Sequence, residues 1–200
     1  MYKTPQEFRR ESVKDLIEKV LKEQKTTLRP LSITCSESLN DDFTTTDFSF
    51  EELGQESKIV TLENIKGKGF IDGVFQGLYT KYVEKYPSIE KLKLVDIMVN
   101  PIMKASKNLG SDAKASVIFR VEVASHGIAE FQHRSRSMIY SGFVSGLNTF
   151  QFYINCERAF DKIKLAADDA SHRNRGDILQ KCLNDLSKLT EVNTYAIGKK

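Results

Sequence analysis

At Gly67-Lys68-Gly69-Phe70-Ile71-Asp72-Gly73 the hydrophobic pattern of the chain changes period. Upstream, Ile59, Val60, Leu62 and Ile65 lie in a β-rich segment. Downstream, Ile71, Val74, Phe75, Leu78, Tyr79, Tyr82 and Val83 recur at three- and four-residue steps, the signature of a helix with one apolar face. A Gly-x-Gly turn at such a junction permits left-handed backbone angles and close approach of another group. The free N–H groups of a helix start can hold a carboxylate or a phosphate. Gly-x-Gly before a helix is, however, more often a tight turn than a ligand site. The rest of the chain has to decide between the two.

The flanking segments give the fold class. Thr4-Pro5-Gln6-Glu7 reads as a capping box, with Thr4 as N-cap and Glu7 reaching back to it. Phe8, Val13, Leu16, Ile17, Val20 and Leu21 then line one face of a helix ending near Gln24. Strand patterns follow over 28–35, around Phe48 and Phe50, and over 58–65, with Pro30 restricted to a strand start or edge. The helix after Gly69 cannot pass Pro87.

The order then repeats. Leu92, Leu94, Ile97 and Val99 start a strand that Pro101 interrupts, and residues 104–111 read as a loop. Ala113, Ala115, Val117, Phe119, Val121 and Val123 alternate with polar residues, and a hairpin turn at His126-Gly127 returns the chain through Ile128 to His133. A long helix is expected from Ser137 to Leu165, its buried side marked by Met138, Phe143, Leu147, Phe150, Ile154 and Phe160. Residues 166–175 read as a polar linker, Ile178 to Leu189 as an amphipathic helix, and the tail as frayed. The expected fold is therefore α+β: two pseudo-symmetric βββα units of about 65 residues with flanking N- and C-terminal helices. The expected divisions are 1–27 (helix and linker), 28–165 (doubled unit) and 166–200 (linker and helix).

Composition narrows the function. The 30 basic and 27 acidic residues are dispersed and leave a net charge of +3, so no nucleic-acid footprint is expected. No stretch approaches the ~20 apolar residues of a membrane span. Cys35, Cys156 and Cys182 are odd in number and match no metal spacing; reduced thiols and a cytoplasmic location are expected. No Ser-His-Asp or Cys-His arrangement has a supporting motif, and no cofactor is implied. His126 and His133, at opposite ends of a hairpin strand, read as structural, and His172 as solvated. Asp72 stands in the first turn of its helix, where a carboxylate suits the dipole. Arg134-Ser135-Arg136-Ser137 occupies the same place in the second unit that Gly67 to Phe70 occupies in the first. Two such junctions could line one crevice, with Ala113, Ala115, Ser141, Gly142, Ser145 and Gly146 leaving room for a small molecule. Close helix packing through the same small residues is the competing reading.

Gly67-Lys68-Gly69-Phe70-Ile71-Asp72 resembles the G-x-G-P-[ILV]-D turn of the C-terminal regulatory (dimerisation) domain of 2-isopropylmalate synthase and citramalate synthase. Leu94-Val95-Asp96-Ile97 is similar to that family's L-x-D-Y strand, Gly110 to Ala115 to its G-x-D-A-x-A/G turn, and Ser135 to Ser145 to its S-x-x-I-I-x-A-S-x-x-A helix start. The four motifs fall in order over residues 28–163. The resemblance implies a homodimeric regulatory module that binds leucine or isoleucine at the dimer interface and acts on a catalytic domain in cis or in trans. It implies ligand contacts from Gly67, Gly69 and Ile71, an apolar wall from Ile97, Ala113 and Ala115, and a polar hold from Asp72. Ser135 and Ser137 belong to the equivalent second junction. Phe70 stands where the family has Pro, and Ile97 where it has Tyr. The family's catalytic barrel, with its His-x-His metal motif, is absent from these 200 residues, so the acyl-transfer chemistry is not expected of them. The alternative expectation is an interaction domain that keeps the fold and the dimer surface, has lost the ligand and recruits a partner protein.

Overall fold

A computed structural model of the chain describes residues 5–38, 40–54, 56–102, 114–123 and 126–195. The order of elements is α1 (Pro5–Leu21), β1 (Thr27–Glu37), β2 (Thr44–Leu53), β3 (Lys58–Gly67), α2 (Phe70–Tyr82), β4 (Leu92–Ile102), β5 (Lys114–Val123), β6 (Ile128–Ser135), α3 (Met138–His172) and α4 (Gly176–Thr190). The doubled βββα order is thus present, with helices at both ends.

Each unit forms its own antiparallel sheet, β1-β2-β3 and β4-β5-β6. In β2, Thr44, Thr46, Phe48, Phe50 and Glu52 alternate with half-exposed neighbours, which fixes the buried face by the period of two. In β5, Val117, Phe119, Val121 and Val123 do the same. Complete burial of a Phe or Val contributes about 1.5–3 kcal/mol, so one slip in register would forfeit most of either sheet's core. Pro30 and Pro101 sit on the edge strands β1 and β4, where the missing N–H costs no ladder bond. Both edge strands carry a register shift at the same place, between Pro30 and Ser32 and between Leu94 and Asp96, leaving Leu31 and Val95 exposed.

α2 lies over β2 and β3, while α3 packs against β5, β6, β1 and α2. α3 runs between the two sheets. Its Phe143 ring meets Phe48 of the first sheet edge-on at 5.3 Å, and its Ser145 Oγ donates to the Val117 carbonyl of the second at 2.9 Å. That position explains why Ser141 to Leu147 form an unbroken buried run, which a helix with one apolar face would not show. The edge of the first sheet is tied to α3 by Asn155, which accepts from Thr26 N at 2.8 Å and donates to its carbonyl at 2.7 Å, and by Gln151, which accepts from Leu28 N.

Several expectations need correction. Phe8 is 70% exposed and does not join Val13, Leu16, Ile17 and Leu21 on the buried face of α1; its expected N-cap, Thr4, lies outside the described residues. The expectation that α2 cannot pass Pro87 holds, and the helix already ends at Tyr82. α3 continues to His172, so residues 166–172 are helix and the connection to α4 is short. Ala167 and Ala170 continue the buried stripe of Ile163 at helical spacing. The segment after α4 is anchored up to Tyr195, whose ring stacks on Phe160 at 4.3 Å, with Asn193 buried beside it. The loop expected at 104–111 lies outside the described residues.

Candidate functional site

The two strand-to-helix junctions lie side by side. The first is closed by Gly67, Asp72 and Gly73. A Cβ on Gly67 would overlap the backbone of Asp72 and Gly73, so the end of β3 touches the first turn of α2 directly. Asp72 Oδ2 accepts from Lys68 N at 3.0 Å and closes the turn from within the helix. Gly69 is extended (φ 172°), and the positive-φ glycine among the described residues is Gly127 in the β5–β6 hairpin. The expected left-handed angles are therefore not used at Gly67 or Gly69; the need for glycine at 67 is close approach.

The second junction is closed by hydroxyls. Ser137 caps α3 by accepting from Tyr140 N at 3.2 Å. Ser135 Oγ accepts from Ser137 N, donates to the Ser137 carbonyl at 2.7 Å and lies 2.8 Å from Ser141 Oγ. Ser141 in turn donates to the Ala115 carbonyl at 3.3 Å. The structure thus brings Ala115, Ser135 and Ser137 together through α3, and Gly67, Gly69, Ile71 and Asp72 together through α2.

The two clusters meet where α2 crosses α3. A Cβ on Gly142 would stand 2.8 Å from the Phe70 ring and 3.4 Å from Ile71, and one on Gly146 would stand 2.8 Å from Val74 and 3.3 Å from Phe119. Gly142 and Gly146 are holes, and Phe70, Ile71 and Val74 fill them. Of the small residues that could have left a crevice, Gly142 and Gly146 are spent on close helix packing and Ser141 and Ser145 on hydrogen bonds to β5. Ile97 pairs with Phe119 and is 37% exposed, with Val99 beside Val117. It lies on the helix-facing side of β4, open to solvent. Ala113 lies outside the described residues.

His133 stacks edge-on against Tyr140 at 5.6 Å, and burial holds its imidazole below the usual histidine range. His126 lies 3.1 Å from Thr194 Oγ1, and His172 Nδ1 lies 2.7 Å from the Asp168 carbonyl on its own helix. Burial raises the Cys35 and Cys156 thiols, the reverse of what a nucleophilic thiolate needs. Among the described residues, no group of three His, Cys, Asp or Glu side chains could hold a metal ion, and no helix is long and apolar enough to cross a membrane.

No protein-family model and no curated protein matches this sequence.

Two clefts lie away from the junctions. A cleft of about 460 Å³ runs between α1, β6 and α3, and another of about 560 Å³ opens beside Glu52, Tyr86 and Arg158. Sequence reasoning missed the first, because its polar groups come from three separate elements, among them Arg10 and Lys14 of α1, Gln132 of β6, and Asn148 and Gln151 of α3, which only the tertiary fold brings together. It also missed the buried pair in which Tyr82 donates to Glu52 at 3.0 Å. The one available signal was Glu52, a charged residue in register with the buried Phe48 and Phe50.

Proposed function

We propose that the chain is a homodimeric regulatory module of the kind found at the C-terminus of 2-isopropylmalate synthase, responsive to leucine or isoleucine. The observation that supports this most is the placement of the two glycine- and serine-closed junctions at one end, side by side, within a doubled βββα fold. Exposed apolar side chains lie at the same end. Met138, Ile139 and Tyr140 are exposed in the first turn of α3, and Ile97 and Val99 on the open side of β4. A second copy closing over them would complete an amino-acid site at the interface. The effector would favour one arrangement of that interface, and the preference would pass to a catalytic domain in cis or in trans.

One observation favours a second reading. The Phe70 ring occupies the space above Gly142, between the two junctions, where an effector's side chain would otherwise fit. In that reading the chain is a ligand-free interaction domain that keeps the dimer surface. Thermal denaturation with leucine, isoleucine and valine, each tested separately, decides between them. A ligand at 100 times its Kd adds about 2.7 kcal/mol, a rise of several degrees. Gly69→Val is the control, because nothing stands within 4 Å of a Cβ there and the variant is expected to fold. A rise in the parent that Gly69→Val abolishes supports the sensor. No rise with any of the three amino acids moves the reading to the interaction domain.

A further inference from the structure

We propose that the cleft between α1, β6 and α3 is a binding site for a small organic acid, its carboxylate held by Arg10 and Lys14 and its apolar body lying against Phe131 and Phe152. The site is separate from the two junctions and does not rest on their function. Its floor is apolar, with Ile17, Phe131 and Phe152 all buried. Its volume, about 460 Å³, is in the range of small-molecule pockets.

The polar groups at the rim are unevenly satisfied. Glu18 is paired with Lys25, and Glu130 with Arg120 at 2.9 Å. Glu7, the third carboxylate on the cleft, also has a partner. The carboxylates are therefore engaged. Two of the cations are not fully matched. Arg10 donates through Nη1 to the Glu130 carbonyl and lies 4.9 Å above the Phe131 ring, yet its Nε is buried with no hydrogen-bond partner. Lys14 makes no ion pair among the described residues. Partial desolvation at the rim of the cleft first, and the neighbouring Arg10 charge second, weaken the hold of this otherwise exposed lysine on its proton, with Glu11 opposing them. A buried unpartnered donor beside a second cation is a cost that an anion would relieve. Gln151 spends its Oε1 on Leu28 N, which leaves its amide NH2 for a ligand, and Asn148 adds a second amide. A monocarboxylate with a short branched or aromatic body matches this set: one negative charge, an acceptor for an amide donor, and an apolar group for the floor. A phosphate would leave the Phe131 and Phe152 floor unused.

The test uses the full chain and two probes, 4-methylpentanoate and phenylacetate, against their neutral amides, followed by amide chemical shifts at low salt up to about 10 mM, where even a Kd of 1 mM (about −4 kcal/mol) would register. Both acids are expected to shift the backbone amides of Phe131, Gln132 and Gln151. The neutral amides should bind about tenfold more weakly, and added salt should weaken the acids selectively. Lys14→Gln should cut acid affinity about tenfold. Lys14 is exposed, so this variant should melt with the parent, and it decides the matter if Arg10→Gln loosens α1. The proposal is overturned if those amides do not move with either acid, if acids and amides bind alike, or if Lys14→Gln binds as the parent does.

Discussion

The two βββα units share a plan and differ in how they close. In each, a helix lies over the central strand of its sheet on two small residues one turn apart. α2 uses Gly73 and Gly77 against Thr46 and Phe48 of β2; α3 uses Ser141 and Ser145 against Ala115 and Val117 of β5. The first pair gains proximity alone, the second adds hydrogen bonds to strand carbonyls. Between the helices the pairing is complementary: Phe70, Ile71 and Val74 of α2 enter the space left by Gly142 and Gly146 of α3. A single unit cannot use both versions of that contact, so the halves have specialised as knob and hole. The bulges at Leu31 and Val95 remain as the clearest trace of the shared plan.

Substitutions can break this division of labour. The largest effect is expected at Gly67→Ala, because the added Cβ would overlap the backbone of the α2 turn, which cannot rotate away. A loss of about 3 kcal/mol or more in denaturant unfolding is expected, against about 0.5 kcal/mol or less for Gly69→Ala, where the space is empty. Equal losses at the two glycines would mean that the turn is not packed as described. Gly146→Val should cost about 1–3 kcal/mol by overfilling the hole, since Val74 and Phe119 must both give way. The reciprocal change Val74→Gly should recover part of that loss in the double variant, and a double-mutant cycle with no coupling would contradict the knob-and-hole account.

Smaller changes sharpen the comparison. Ser145→Ala removes the donor to the Val117 carbonyl in a fully buried setting and should cost about 1–2 kcal/mol in urea unfolding. The mirror change Gly77→Ser should not be stabilising, because its Cβ would stand 2.8 Å from the Phe48 ring. If Gly77→Ser instead raised stability, the two helices would be interchangeable over their sheets and the specialisation would be an accident of sequence.

The order of elements was legible because each strand and helix carries its own period: Phe48 and Phe50 against polar neighbours, Val117 to Val123 by twos, Ile71 to Val83 by threes and fours. What periodicity could not show was the second contact of α3. A helix between two sheets is apolar all round, and the run from Gly142 to Leu147 reads from one dimension as small residues around a space. The end of α3 was missed because its buried stripe there is Ala167 and Ala170, too small to stand out beside Asp168 and Asp169. At the junctions, residue identity was readable but occupancy was not. That Phe70 fills the hole at Gly142 depends on two residues 72 positions apart, a contact set by the packing of α2 on α3.

The smallest expected effect concerns His133, which has no counterpart in the first unit. Its imidazole stacks on Tyr140 at the second junction, and burial lowers its pKa from the ordinary value of 6.5. A histidine harder to protonate folded than unfolded binds fewer protons in the native state, so stability rises with pH through this region. The contribution is complete above the unfolded value of 6.5 and is lost as pH falls through it towards the lower folded value. Because the ring is half-exposed the effect should be a fraction of a kcal/mol, visible as a small fall in melting temperature between pH 7.5 and 5.5. His133→Gln should flatten that part of the profile, while the hydroxyl-closed turn at Ser135 and Ser137, which does not titrate, keeps the rest of the junction unchanged. A profile as steep in His133→Gln as in the parent would show that His133 does not carry it, and the partly buried Glu157, whose carboxyl is raised by desolvation, is no substitute source of that slope. That group acts in the opposite sense, losing stability as pH rises from its unfolded to its folded pKa, so the direction of the slope alone separates the two.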